Sequence, residues 1–265
     1  MIAQGRNLFD YLWPALVTLF LWWSSTGAIA WLVGRPDASR RWLLGVALVV
    51  ATVALFAIGT NREADAAGDA WLAFVAALAL WGGIEISFLT GAITGPRKIV
   101  CAPGCHGLRH ALHACSAILW HELLIVITVG SVALLTLRGA NPGALQTLLV
   151  LWVMRTSAKL NLFLGVRNLG EAFWPERLVY LKAYLRRRAM NPLMPVSLAF
   201  GVALTIWFAG EAQLPAASPS TTAMLLATLS ALAVLEHVLM VTPLDGEYLW
   251  RWSLRGRRPA PDAGR

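Results

Sequence analysis

Residues 151–191 read LWVMRTSAKLNLFLGVRNLGEAFWPERLVYLKAYLRRRAMN. The stretch begins inside an apolar run in which Arg155 and Lys159 stand one helical turn apart on one face. It leaves that run through Asn161 and Asn168 and ends in Arg186-Arg187-Arg188. Two unpaired cations inside a lipid-length segment cost several kcal/mol, so the rest of the chain must supply counter-charges. Glu85, Glu122 and Glu236, each within another apolar segment, can do so.

Composition places those segments in a bilayer. Hydrophobic residues make up 58% of the chain and charged residues 14%, and the mean hydropathy is +0.63. A soluble domain carries close to twice that charged fraction. The net charge of +8 is accounted for by basic loops at a membrane surface, and no nucleic-acid motif accompanies it. Cys101, Cys105 and Cys115 make no disulfide framework.

Seven segments reach the roughly 20 apolar residues a span needs, near 11–33, 42–60, 70–94, 111–137, 144–165, 193–212 and 222–241. The expected fold is therefore all-α, a polytopic membrane helix bundle. Residues 1–245 form one integral-membrane domain and 246–265 a tail. Seventeen basic residues fall in the connections after the first, third and fifth spans and in the tail, against Arg6, Arg62 and Arg138 on the opposite side. The positive-inside rule then puts the amino terminus outside and the tail in the cytoplasm. A cleaved signal peptide ending near Ala28-Ile29-Ala30 is the competing reading of the first span. The long apolar run and the single Arg before it favour a retained span. Trp13, Trp31, Trp42, Trp71 and Trp207 fall near span ends as interface anchors, whereas Trp81, Trp120 and Trp152 fall deeper, where helix packing is favoured over pigment contact. Between 174 and 189, Trp174, Leu178, Leu181 and Leu185 recur at helical spacing opposite Arg177, Lys182 and Arg186. This predicts a basic interfacial helix against anionic lipid, with a partner-docking surface as the alternative.

Counted at about 1.5 Å per residue, Glu85, His121 and Arg155 lie roughly 15 Å from the cytoplasmic ends of their spans. Lys159, Glu236 and His237 lie somewhat shallower. The inner half should thus hold a polar cluster of Glu85, His121, Glu122, Arg155, Lys159, Asn161, Glu236 and His237. One reading is an ion-pair network that fixes helix packing; the other is a binding pocket for a proton, metal or tetrapyrrole. A di-metal site is disfavoured, because neighbours in sequence point about 100° apart on a helix and no Glu-x-x-His occurs. His110, His113 and His121 offer imidazoles to a chlorophyll magnesium or haem iron. Cys101-x-x-x-Cys105-His106 is one residue too long for c-type haem attachment; with Cys115 nearby a zinc site is conceivable, but the spacing is unspecific and no metal site is assigned. Gly91-Ala-Ile-Thr-Gly95-Pro96 ends a helix with small residues, which suits close helix approach. No Walker loop, Ser-His-Asp arrangement or dinucleotide fingerprint occurs, and no catalytic residue is assigned.

The run Glu85-Ile-Ser-Phe-Leu-Thr-Gly-Ala-Ile-Thr-Gly-Pro-Arg97 resembles that of the PuhE-type photosynthetic-complex assembly proteins of purple bacteria and related phototrophs. So do His121-Glu122, LWVMRTSAKLNLFLGV, FWPERLVYLKAYLRRRAMNPLMPVS and Leu235-Glu236-His237. The similarity runs in unbroken order over about residues 70–245; residues 1–69 match in character alone, and Arg167 stands where the family's loop has Pro. The resemblance implies a role in assembling the reaction centre–light-harvesting 1 core complex, or in tuning bacteriochlorophyll supply to it. Its implied partners are reaction-centre and light-harvesting 1 subunits or other assembly factors, and its implied location is the bacterial inner, intracytoplasmic membrane. A membrane enzyme or transporter acting on a tetrapyrrole or lipid is the second reading.

Overall fold

The computed structural model describes residues 8–35, 39–64, 67–102, 104–213, 219–244 and 246–254. The tail from residue 255, Arg6 and Asp65 lie outside the described residues. Seven helices carry the fold: α1 Leu8–Val33, α2 Arg40–Thr60, α3 Ala67–Leu89, α4 Gly107–Thr136, α5 Gly143–Leu164, α6 Leu193–Glu211 and α7 Pro219–Val241. All seven are long and apolar enough to cross a membrane. The described residues contain no strand, only an isolated bridge between Val166 and Arg187.

Helix α3 is the hub, touching α1, α2, α4, α5 and α7. Its buried face explains why: Ala70, Ala73, Ala76 and Ala77 keep the backbone close to its neighbours, and Phe74, Leu80, Ile84 and Phe88 fill the gaps. Without a hydrophobic driving force between helices in lipid, such small-residue approach carries much of the association. Helix α2 differs. Among its residues only Ala54 and Ile58 are buried, while Leu48, Val49, Val53 and Phe56 stand outward, as lipid-facing side chains do. Trp13, Trp31, Trp42 and Trp207 are exposed near helix ends. Trp81 and Trp152 pack against the core, Trp81 also lining a cavity, but Trp120 faces outward.

Two expected elements end elsewhere. The third span stops at Leu89, not at 94. There the Thr90 hydroxyl donates to the Ile86 carbonyl, Gly91 turns to φ 69°, and the Ala92 and Ile93 amides fold back onto the Ser87 carbonyl. A side chain at this φ would be strained. The freed segment is stitched to the middle of α4. The His121 amide donates to the Thr94 carbonyl (2.9 Å) and the Arg97 amide to the Ser116 carbonyl (3.4 Å). A Cβ on Gly95 would collide with the Ser116 carbonyl oxygen and sit 2.5 Å from the Ala117 carbonyl carbon. Only glycine permits that approach.

The interfacial element is not an α-helix over 174–189. It is a nine-residue 3-10 segment, Glu176–Tyr184, preceded by a 3-10 turn at Glu171–Phe173. The physical reason is visible in what it buries: Leu178, Leu181 and Tyr184, a strict period of three, which eclipses in a 3-10 helix. These side chains pack on Phe88 and Ala117, so the apolar face is turned to the bundle.

Candidate functional site

A cavity of about 840 Å³ opens between α1, α3, α4, α5 and α7, bounded at one end by residues 168–174 and by Trp250. Its walls are apolar and rich in aromatics, among them Trp22, Phe74, Trp81, Phe88, Phe163 and Trp174. Four of the eight expected polar residues reach it: Glu85, Arg155, Lys159 and Glu236. His121, Glu122, Asn161 and His237 do not line it.

The counter-charges resolve one by one. Arg155 on α5 donates through Nη2 to Glu85 Oε2 on α3 (3.0 Å). Lys159, one turn along the same face, donates to Glu122 Oε1 on α4 (2.6 Å). Glu236 on α7 is bonded to neither cation: its Oε1 accepts from the Trp22 indole N–H on α1 (2.7 Å), and its side chain is exposed to the cavity. Glu85 Oε1 and Arg155 Nε are buried without a hydrogen-bond partner. The cavity wall thus carries the exposed Glu236 carboxylate and the partly exposed, Glu85-paired Arg155 guanidinium among aromatic side chains. This is the usual composition of a ligand pocket, and the volume falls within the usual range.

The remaining expected residues hold the frame. His237 donates from Nδ1 to the Ala233 carbonyl (2.8 Å) and shares a hydrogen bond at Nε2 with the Ser157 hydroxyl (3.0 Å), which fixes the orientation of the ring. Asn161, fully buried, donates to the Ser157 carbonyl and to Ser197 Oγ on α6. Asn191 caps α5 by donating to the Asn161 and Gly165 carbonyls. Asn168 closes α7 by donating to the Leu239, Thr242 and Leu244 carbonyls. His121 is fully buried against the Phe88 ring (centroids 4.4 Å apart), and neither ring nitrogen has a partner.

His110 and His113 do not join the inner cluster; their rings turn to Cys101 and Cys105 instead. Burial pushes the Cys101 thiol up, its neighbour Cys105 adds to this, and Arg97 partly offsets it. Trp22, Ser157 and Tyr184 take part in the site without any signal in the sequence. An indole or hydroxyl gains its role only from what the fold sets opposite it, and no spacing signals that.

The family model described as "Protein of unknown function (DUF3623)" matches residues 8–260. The chain belongs to this family. A curated relative from Rhodobacter capsulatus, described as "Uncharacterized 30.4 kDa protein in puhA 5'region", is 37% identical over 246 residues, 91% of this chain and 89% of its own. No solved structure matches. The relative's description is consistent with a photosynthesis gene cluster, and family membership rests on nearly the whole chain.

Proposed function

We propose that this member of the family is an assembly factor for the photosynthetic reaction centre–light-harvesting 1 core complex, and that its inner cavity takes up bacteriochlorophyll or regulates its supply. The observation that carries the reading is the aromatic cavity with Glu236 and Arg155 on its wall. A chlorin is large, flat and apolar with a few polar edge groups. About 840 Å³ of aromatic-walled space with a carboxylate and a guanidinium suits such a molecule. The relative described by its place 5' of puhA supports the photosynthetic context. The structural reading of the ion pairs is not displaced: Glu85–Arg155 and Glu122–Lys159 fix α3, α4 and α5 against one another and thereby shape the cavity.

The orientation we infer has the amino terminus outside and the tail, Arg97, Lys98 and the 165–192 connection on the cytoplasmic side, where the exposed Arg186 and Arg188 meet anionic lipid, whereas Arg177 and Lys182 of the 3-10 segment are held by the Thr90 and Val33 carbonyls and by Glu171. Basic-residue asymmetry supports it. A reporter active only outside the cytoplasm should be active when fused after Asp65 and silent after Arg258; the opposite pattern would reverse the assignment.

The functional test uses the full chain purified in mild detergent from a phototrophic host. We expect bacteriochlorophyll or core-complex subunits to co-purify, and a strain lacking the protein to hold less core complex. A colourless, partner-free protein together with normal core-complex content in the deletion strain would end the proposal. Pigment intermediates accumulating in that strain would favour a membrane enzyme or transporter instead.

A further inference from the structure

Four side chains outside the cavity converge at the start of α4. Cys101 and Cys105 come from the connection after α3, His110 and His113 from the first two turns of α4. The ligand atoms of Cys101, Cys105 and His110 lie within 4.8 Å of one another. His110 Nδ1 is 3.4 Å from Cys101 Sγ, and His113 Nδ1 is 3.5 Å from Cys101 Sγ and 3.4 Å from Cys105 Sγ.

As hydrogen bonds these contacts are oversubscribed. Cys101 Sγ faces two imidazole nitrogens and the second thiol, yet a thiol has one proton and is a weak acceptor. A central cation would use all four donor atoms at once. With Zn–S near 2.3 Å and Zn–N near 2.0–2.1 Å, a tetrahedral site has N···S edges of about 3.5 Å. The three N···S distances here are 3.4–3.5 Å.

We propose that Cys101, Cys105 and His110, with His113 facing both sulfurs as the fourth ligand, form a tetrahedral structural zinc site that closes when the ion binds. Two sulfurs and two imidazole nitrogens without a carboxylate select zinc among the common divalent ions. Binding displaces the two thiol protons, so the ion and the two thiolates sum to zero charge.

The surroundings orient the ligands as an outer shell does. The buried His110 ring lies against Phe163 (centroids 5.4 Å apart) and Tyr184 (5.8 Å). Tyr184 in turn donates to the Ile99 carbonyl (2.8 Å) and accepts from Arg97 Nε (2.9 Å), which fixes the connection that carries the cysteines. Location fits as well. Helix α4 has 30 residues, about 45 Å at 1.5 Å per residue, against a hydrocarbon core of about 30 Å. Its first turns can therefore extend beyond the lipid tails, where an ion can enter. Zinc there would pin the strap 90–106 to α4 and to the 3-10 segment whose Leu181 and Tyr184 line the cavity.

The site carries its own controls. His106 is exposed, with its Nδ1 on the Gly104 carbonyl, and Cys115 lies on the cavity wall; neither belongs to the cluster. The test is elemental analysis of the full chain purified without chelator, followed by cobalt(II) titration after the native metal is removed. About one zinc per chain is expected, with a cobalt spectrum of tetrahedral, thiolate-ligated type. Cys101→Ser and His113→Ala should each lower cobalt affinity by more than tenfold, while Cys115→Ser and His106→Ala leave it unchanged. Thiol alkylation in native membranes gives a second readout that requires no variant to fold: Cys115 labels at once, Cys101 and Cys105 only after a zinc chelator is added. Absence of zinc combined with a featureless cobalt titration would overturn the site. So would a Cys101–Cys105 disulfide in native membranes, or cobalt binding indifferent to Cys101→Ser and His113→Ala.

Discussion

Two short stretches look alike in the sequence and behave oppositely in the fold. Helix α4 carries His121-Glu122 and α7 carries Glu236-His237, each an imidazole beside a carboxylate in an apolar helix. In α4 the carboxylate is committed to Lys159 (2.6 Å), and the histidine is sealed against Phe88 with both nitrogens unpaired. In α7 the histidine is committed, at both nitrogens, to Ser157 and the Ala233 carbonyl, and the carboxylate looks into the cavity. Adjacent residues on a helix point about 100° apart, so each stretch can send only one of its two groups toward any one neighbour. The lesson is that α7 presents its acid and stores its base, whereas α4 ties down its acid and leaves its base dry.

The largest expected effect breaks the α4 half of the comparison. Lys159→Met strands Glu122 in the bundle and should cost roughly 3–5 kcal/mol, because removing one member of a buried pair leaves an uncompensated charge. Lys159→Met with Glu122→Gln should recover most of the folded protein. Thermal unfolding monitored by size-exclusion chromatography in detergent reads both; a double variant no better than the single would dismiss the pair as the cause.

Gly95→Ala comes next. The added methyl meets the Ser116 and Ala117 backbone and should push the strap off α4, freeing the Thr94 carbonyl from the His121 amide. A loss of about 1–3 kcal/mol is expected, as overpacking typically gives. A Gly95→Ala variant as stable as wild type would mean that the strap does not hold α4.

The histidines should then separate. His237→Phe removes the partner of Ser157 and of the Ala233 carbonyl, and should cost about 1–3 kcal/mol. His121→Phe replaces a ring whose nitrogens have no partner, and should be neutral or stabilising in the same assay. Equal losses at both positions would erase the distinction. A dry histidine kept against its desolvation cost also invites a functional reading. If His121 can rotate onto a pigment magnesium in a pigment-loaded state, His121→Gln will leave protein abundance intact and lower core-complex absorbance in phototrophic cells. Normal absorbance at normal abundance would end the ligand reading for His121, which does not line the cavity in this structure.

The smallest effect sharpens the α7 half. Trp22→Phe takes the only described hydrogen bond from Glu236 and keeps the aromatic wall. It should cost no more than about 0.5–1.5 kcal/mol. If Glu236 is the polar handle of a guest, retention of co-purified pigment will change more than stability does.

By itself the sequence determined the class of molecule and most of its frame. Seven apolar stretches had to become helices, because no other open structure satisfies its backbone in lipid. The need for acids opposite Arg155 and Lys159 followed from the same scarcity of water. The periodicity of 174–185 also marked an amphipathic element, but an α period and a 3-10 period differ by only a fraction of a residue per turn over so short a run. Which acid meets which cation, which of two adjacent groups faces the cavity, and that Gly95 lets a strap enter the flank of α4 were decided by tertiary structure alone. So was the meeting of Cys101 and Cys105 with His110 and His113. These depend on the rotation of each helix about its axis and on its offset along the bundle, and apolar side chains that all suit lipid equally well encode neither.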